Sequence, residues 1–450
     1  MTGLEQGVAV PPSSGSLKWH DATYVFLLML LLPMDWFAPT GALLREFGAK
    51  PAVPLMVLAS LALIAKAPGY YLRLTPSETR IARPLAVTLL LGSAAFFLNM
   101  LLRWSAFGRE KNPAVQFVGQ GGLYAAFLLV VVVHQRYFQV EARRKLAMRM
   151  LAPVALVYLA AVFADALGLL SHSHGLLALF RSEAGYDDVR PAGLLSEPSY
   201  FGAFAGMYGT PLMFVRMGRK RWPYVTLGIL LFLASLLIRA KTFLPVIAAQ
   251  FLVLLLCRKR PGKSRLIPAT IGLVALVLIA MFLVVSNSAL DLQENLSSAM
   301  RFGSALLCLR ASLAGYGLTG IGFGQFHFFY RPEFAPSFLM NSYEALSSMA
   351  PGAASRASAF NLYARILLEA GVGGLATFLL AMYRVIKEAR IGWSFQAEFG
   401  ILIVVGSLGF LLTQDSLFLP SLAMGVAFLS GLRASLQIPQ PDILPNQATR

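Results

Sequence analysis

Apolar stretches about as long as a lipid bilayer is thick recur along almost the whole chain, and this repetition limits the fold more than any motif. A spanning helix needs about 20 mostly apolar residues. Twelve segments approach that length, with cores near 23–38, 52–68, 84–103, 115–134, 150–170, 198–215, 223–238, 243–257, 266–286, 359–383, 395–413 and 417–435. Within a bilayer every backbone N–H and C=O must find a partner inside the protein, so such segments fold as helices. Composition agrees: 57% of the 450 residues are hydrophobic and 13% are charged, against about 25% charged in soluble domains. The expected fold class is an all-α polytopic membrane protein.

The connections set its orientation. Net charge is +17, which on a soluble chain would point to nucleic acid. Here the basic residues fall in short loops, "RYFQVEARRKLAMR", "RMGRKR", "RKRPGKSR" and "RVIKEAR". With the N-terminus in the cytoplasm, the inner side holds 24 of the 38 lysines and arginines, the bias that anionic lipid and the insertion machinery impose. Membrane lipids, and no nucleic acid, are the expected partners of this charge. The boundaries read as a loose cytoplasmic tail at 1–22, nine spans over 23–286, a large outer loop at 287–358, three spans over 359–435 and a cytoplasmic tail at 436–450. The first residues lack the basic start and small-residue cleavage site of a signal peptide. Cys257 and Cys308 have no CxxC neighbours, so neither a disulfide framework nor a zinc site is expected.

Two outer connections stand out, a short one at 171–197 and the long one at 287–358. In the long one "AMRFGSALLCLRASLAGYG" reads as an amphipathic helix, followed by the glycine-rich "GYGLTGIGFGQF". No internal repeat is visible, nor are there paired Gly/Pro-broken spans of the kind seen in inverted-repeat transporters.

Cations beside a bilayer are costly unless they face water or a partner. On the inner side topology explains them. On the outer side Arg190, Arg239, Lys241, Arg301, Arg310 and the intramembrane Arg365 lack that explanation. An arginine fork matches phosphate oxygens in pairs, so several around one cavity would bind a diphosphate. Each alone is equally readable as a helix-end charge or a snorkelling side chain.

"RPAGLLSEPSYFG" (190–202) carries the same ambiguity. Pro198 suits a first helical turn, and Glu197 and Ser199 offer oxygens to free amides there. Capping leaves Arg190 and Gly193 unexplained. Arg365 and Glu369, four apart, share a helix face, which fits a structural pair as well as a functional one. "GIGFG" lacks the strand and lysine of a nucleotide loop, and reads as a tight turn or as a cradle centred on Gly322. The five histidines show no ligand spacing, so no metal is expected.

Three patches occur in order: Arg190-x-x-Gly193-x-x-x-Glu197-Pro198-Ser199, then Gly317-x-x-x-Ile321-Gly322-x-Gly324 with Arg301 and Arg310 upstream, then Asn361 with Glu369, Gly371 and Gly374 opening the next span. Together with the span pattern they resemble the O-antigen ligase/polymerase family, the Wzy/WaaL-like enzymes of bacterial surface polysaccharides. The resemblance implies a GT-C-like architecture of about 12 transmembrane helices with one long periplasmic loop, in the bacterial inner membrane. It implies metal-independent, cofactor-free, inverting glycosyl transfer at the periplasmic face, from a sugar chain on a polyprenyl diphosphate. Partners would be the lipid-linked oligosaccharides, with a chain-length regulator and a flippase of the same pathway. Carried over by position, Arg190, Glu197 and Arg301 would be catalytic. Arg239, Lys241, Arg310, Gly322, Asn361, Arg365 and Glu369 would bind substrate.

One departure matters. Ligases of this family have a His-Asn pair opening the span after the long loop, and that His is the base. Here the residue before Asn361 is Phe360, which favours a polymerase and leaves the base open between Glu197, His327 or none. The rivals are an O-antigen ligase passing glycan to lipid A-core, a flippase of lipid-linked oligosaccharide, a peptidoglycan-type glycosyltransferase and a structural scaffold. A flippase needs cations through the midplane, whereas these gather on one side.

Overall fold

A computed structural model of the chain describes residues 18–44, 47–105, 111–169, 191–215, 221–257, 296–341, 343–350, 358–391 and 394–437. Among them the secondary structure is helical, with no strand. In chain order the helices are α1 (Trp19–Leu31), α2 (Ala38–Leu44), α3 (Ala52–Lys66), α4 (Pro68–Tyr71), α5 (Pro76–Leu102), α6 (Pro113–Tyr137), α7 (Glu141–Ala166), α8 (Pro198–Phe214), α9 (Trp222–Leu237) and α10 (Phe243–Cys257). Next come α11 (Leu296–Ala311), α12 (Phe326–Phe329), α13 (Tyr343–Met349), α14 (Leu362–Ile391), α15 (Phe395–Phe410) and α16 (Pro420–Gln437). Four of them, α5, α6, α7 and α14, are long and apolar enough to cross a membrane, and α1, α3, α9, α10 and α15 are shorter apolar helices. This is a helical, membrane-embedded protein.

The first expected span, 23–38, is not one helix. α1 stops at Leu31, and residues 32–37 are non-helical before α2. The cause lies in "PMDWFAP", residues 33–39. Pro33 lacks the amide that would continue α1, and Asp35 takes its hydrogen bonds from Ser196. Pro39 falls in the first turn of α2, where a missing amide costs nothing, so it restarts a helix rather than extending the earlier one. The expected tail also ends sooner, since α1 begins at Trp19. The expected span 266–286 lies outside the described residues.

Helix pairs define the bundle. α14 packs along α5, α8 on α9, α10 on α15 and α6 on α16. The α5–α14 seam is built from small residues, which let backbones approach closely. There the Thr88 hydroxyl donates to the Gly374 carbonyl at 3.2 Å and lies 2.8 Å from the Thr377 hydroxyl.

One end of the bundle is tied by charge. Arg136 pairs with Glu78 at 2.8 Å and Arg143 with Asp21 at 3.1 Å. Nearby, the buried Arg144 donates to Gln396 at 2.8 Å. Glu78 also completes a capping box with Thr75 at the start of α5. These are residues of the basic loops, so part of that charge is structural as well as topological.

At the other end lies the segment expected as an outer loop. α11 is amphipathic, as its pattern suggests: Met300, Leu307, Cys308 and Ala311 are buried, while Phe302 and Arg310 are exposed. With Ile321, Phe326, Phe329, Tyr330 and Leu339 these buried residues form a small core of their own. The glycine-rich stretch then runs beside α14. Ile321 and Gly322 donate to the carbonyls of Leu368 and Glu369 at 2.9 and 2.8 Å, and Val372 donates to Gly317 at 2.8 Å. α14 is broken at Gly371, whose φ and ψ are 73° and 179°. The kink has an identifiable cause, a strand-like backbone exchange inserted into the helix.

Candidate functional site

The stretch before α8 is held by two buried acids. Asp165, near the end of α7, accepts from the amides of Ala192 and Gly193 at 2.8 and 2.9 Å. Asp35, in the connection after α1, accepts from the Ser196 amide at 3.1 Å and from its hydroxyl. Gly193 has φ +62°, and a Cβ there would lie 2.9 Å from the Val162 amide nitrogen. Close approach to the α7 backbone therefore demands glycine, a need invisible in the sequence. Arg190 lies outside the described residues.

Glu197 occupies the N-cap position of α8 but makes no side-chain cap bond. Its carboxylate accepts from the Ser199 hydroxyl at 2.9 Å and pairs with Arg301 Nη2 at 3.6 Å. Arg301 projects from α11, its Cζ 6.0 Å from the centre of the Phe360 ring. Its Nε is buried and has no hydrogen-bond partner. Three patches far apart in sequence thus meet: the start of α8, the helix of the outer segment and the approach to α14. Phe360 is held at φ +50°, a conformation that non-glycine residues rarely adopt.

Arg239 and Lys241 reach the same end. The Thr242 hydroxyl donates to the Ser199 carbonyl, and a Cβ on Gly202 would sit 2.8 Å from Ala240 Cβ. The connection between α9 and α10 is thereby pressed onto the first turns of α8. Arg239 is exposed with φ +55°.

The remaining expected binding residues sit elsewhere. Arg365 and Glu369 do share a helix face, 3.2 Å apart, but they are buried among internal partners. Arg365 donates to Gln120 at 2.9 Å and to the Asp415 carbonyl at 3.0 Å, and pairs with the Asp415 carboxylate at 3.3 Å. Glu369 accepts from the amides of Gly324 and Phe326 at 3.1 and 3.4 Å. The pair clamps α14 to α6, to the α15–α16 connection and to the glycine stretch. Asn361 caps α14, accepting from the Ala364 amide at 3.0 Å and donating to the Leu412 carbonyl at 3.2 Å. Gly322 is no cradle: φ is +99°, a Cβ would fall 2.3 Å from Phe96 Cα, and its amide is committed to Glu369. Arg310 stands nine residues from Arg301, half a turn out of phase, and donates to the Ala335 carbonyl at 3.0 Å. His327 is buried, between Phe326 and Phe328 of the outer segment's core.

Asp35, Asp165 and Asp415 did not figure among the expected residues. Reading the outer carboxylates as closely as the outer cations would have found them, since each stands at the edge of an apolar run. Asp35 lies in the non-helical connection 32–37, outside the apolar helices. Burial pushes its carboxyl up to about 6, against the opposing pull of the Ser196 hydrogen bonds. Asp35 also lines a small cleft of about 20 Å³, room for about one water, with Lys50, Tyr200, Phe204, Phe410 and Ser421 among its walls. Comparison of the chain with known protein families and with curated proteins gives no match.

Proposed function

We propose that the protein is a polysaccharide polymerase, a membrane glycosyltransferase that joins polyprenyl-diphosphate-linked repeat units at the periplasmic face of a bacterial inner membrane. The observation that carries this reading is the meeting of Glu197, Arg301 and Phe360 from three separate patches, the patches by which the sequence resembles the O-antigen ligase/polymerase family. In this reading the chain crosses the membrane twelve times, both termini are cytoplasmic and the segment bearing α11 is periplasmic.

The chemistry follows from the donor. As the anomeric carbon parts from the diphosphate, negative charge grows on the departing oxygens, and fixed cations there lower the barrier. Arg301 has a half-buried guanidinium with an unused donor. Its loose contact with Glu197 orients it without consuming the fork. The family resemblance gives Arg190 the same role, and Arg239 and Lys241 add positive charge at the same end. Phe360 in place of a histidine supports a polymerase over a ligase.

The test is genetic. The gene is deleted in its host and complemented with wild type or Arg301→Ala at matched membrane levels. Single repeat units at the surface without long chains, uncorrected by Arg301→Ala, support the polymerase. Full-length polymer accumulating on its lipid carrier instead indicates a ligase, and repeat units held on the inner leaflet a flippase.

A further inference from the structure

The glycine-rich stretch 317–324, expected in an outer loop, lies well inside the ends of the helices it touches. In α5 no residue from Pro84 to Leu102 is charged, and Arg83 and Arg103 bracket that run. At 1.5 Å per residue the run spans about 28 Å, close to the roughly 30 Å of a hydrocarbon core. A Cβ on Gly322 would touch Phe96 Cα, and Phe96 lies about 9 Å inside Leu102. The Phe323 ring reaches further, stacking on Tyr124 of α6 and packing against Gly92, about 15 Å inside Leu102. α14 supplies a second ruler. Arg384 donates to the Arg80 carbonyl at 2.9 Å and marks the opposite end of the core. Val372, which donates to the Gly317 carbonyl, stands about 18 Å along the helix from Arg384. Both rulers put residues 317–322 about 10 Å inside the hydrocarbon, entering from the Leu102 side.

A non-helical backbone survives at that depth only where the protein pairs its polar groups. Ile321 and Gly322 donate to the Leu368 and Glu369 carbonyls, just before the break in α14 at Gly371, and the break frees the Val372 amide for Gly317. The amides of Gly317 and Gly320 turn back onto the Ser312 and Tyr316 carbonyls, each at 2.9 Å. The Glu369 carboxylate takes the amides of Gly324 and Phe326. A Cβ on Gly320 would fall 2.6 Å from the Glu369 carbonyl oxygen, so this close approach requires glycine. The side chains left outward suit lipid. Leu318 is 76% exposed, beside Val372, 51% exposed on α14, and the Thr319 hydroxyl turns to the Gly320 carbonyl at 3.4 Å. At the Leu102 end Trp104 meets Tyr316 edge-on at 5.3 Å, a pairing of the residue types that gather at membrane–water boundaries.

We infer that residues 317–322 form a re-entrant segment within the leaflet on the Leu102 side, and that Leu318 and Val372 together make a surface for lipid acyl chains. The occupant is hydrocarbon because the surface is continuous with the membrane-crossing helix α14, carries no charge and lies at acyl-chain depth. The break at Gly371 then has a purpose: α14 gives up helical hydrogen bonds for ones that carry a loop into the membrane. This placement goes beyond the polymerase reading and stands whether or not the chain is a polymerase.

The depth of a nitroxide label on the full-length protein, in liposomes of phosphatidylcholine and phosphatidylglycerol, tests this. Cys257 and Cys308 are replaced by alanine. Single cysteines are then placed at Leu318, at the exposed Leu90 and Leu101 of α5, and at the exposed Glu333 of the outer segment. Oxygen concentrates in hydrocarbon and a nickel chelate in water, so the ratio of their collision rates with the label reads depth. Leu318→Cys should give a ratio at or above that of Leu101→Cys, and so above that of Glu333→Cys. A ratio below that of Leu101→Cys puts Leu318 in headgroups or water and overturns the re-entrant placement. A second measurement keeps the native cysteines and stands even where the cysteine-free protein fails to fold. Leu318→Asp should melt at a lower temperature than wild type in liposomes and Leu318→Met should not, because a carboxylate finds no solvation among acyl chains. Equal melting of Leu318→Asp and wild type would mean that Leu318 faces water.

Discussion

Arg301 Nη2 lies 3.6 Å from Glu197 Oε2, joining α11 of the outer segment to the first turn of α8. Glu197 was as readable as a helix cap as it was a site residue, and its side chain caps nothing. The contact is half-exposed, 24% for Arg301 and 41% for Glu197, so it contributes little to stability. What it does is place a guanidinium where three sequence patches converge.

The stability and activity effects of Arg301 therefore separate. Exposed pairs contribute about 0–1 kcal/mol, so Arg301→Ala should melt close to wild type in detergent. Its surface polysaccharide should nevertheless lack long chains. Arg301→Lys should restore them only in part, because an ammonium cannot grip two phosphate oxygens as a fork does.

The Arg365–Glu369 pair should behave in the opposite way. It is buried, and removing Arg365 strands Glu369 without its charge partner, at a cost of about 3–5 kcal/mol. Removing Glu369 leaves Arg365 its contact with Asp415 but opens the joint to the amides of Gly324 and Phe326. Arg365→Ala and Glu369→Ala should each lower membrane yield and melting temperature far more than Arg301→Ala does. Equal melting temperatures for Arg365→Ala and wild type would contradict the clamp.

Gly322→Ala should be among the most damaging small substitutions. The added Cβ would fall 2.3 Å from Phe96 Cα with φ held at +99°, and unfavourable backbone regions alone cost about 1–3 kcal/mol. Gly69→Ala in α4, where a Cβ would meet nothing within 4 Å, is the control and should melt like wild type.

Asp35 also links stability to pH. Its carboxyl holds a proton up to about pH 6 in the folded protein, against 3.8 for the ordinary group. The folded state binds more protons in that window, so stability falls as pH rises from about 4 to about 6 and is level above it. A two-unit difference amounts to roughly 3 kcal/mol. Subtracting the melting profile of Asp35→Asn from that of wild type should leave a curve that declines over this window. A flat difference would mean that Asp35 is not buried as described.

Apolar runs of bilayer length determined the helical, membrane-embedded character of the chain. Such runs can satisfy their backbones only as helices, and that requirement is local. The amphipathic pattern of residues 299–311 likewise fixed α11, and the four-residue spacing put Arg365 and Glu369 on one face. What those charges touch is not local. Arg365 became a clamp because Gln120 and Asp415, from distant helices, arrive at its fork, and no spacing along the chain encodes that meeting. The end of α1 at Leu31 depended on Pro33 and on Asp35 finding Ser196. Gly193 and Gly322 looked like motif letters, and only the approach of the α7 and α5 backbones shows why a side chain is excluded there. Glu197 was free to cap its own helix, and the tertiary structure turned it to Arg301 because α11 brings a cation within reach.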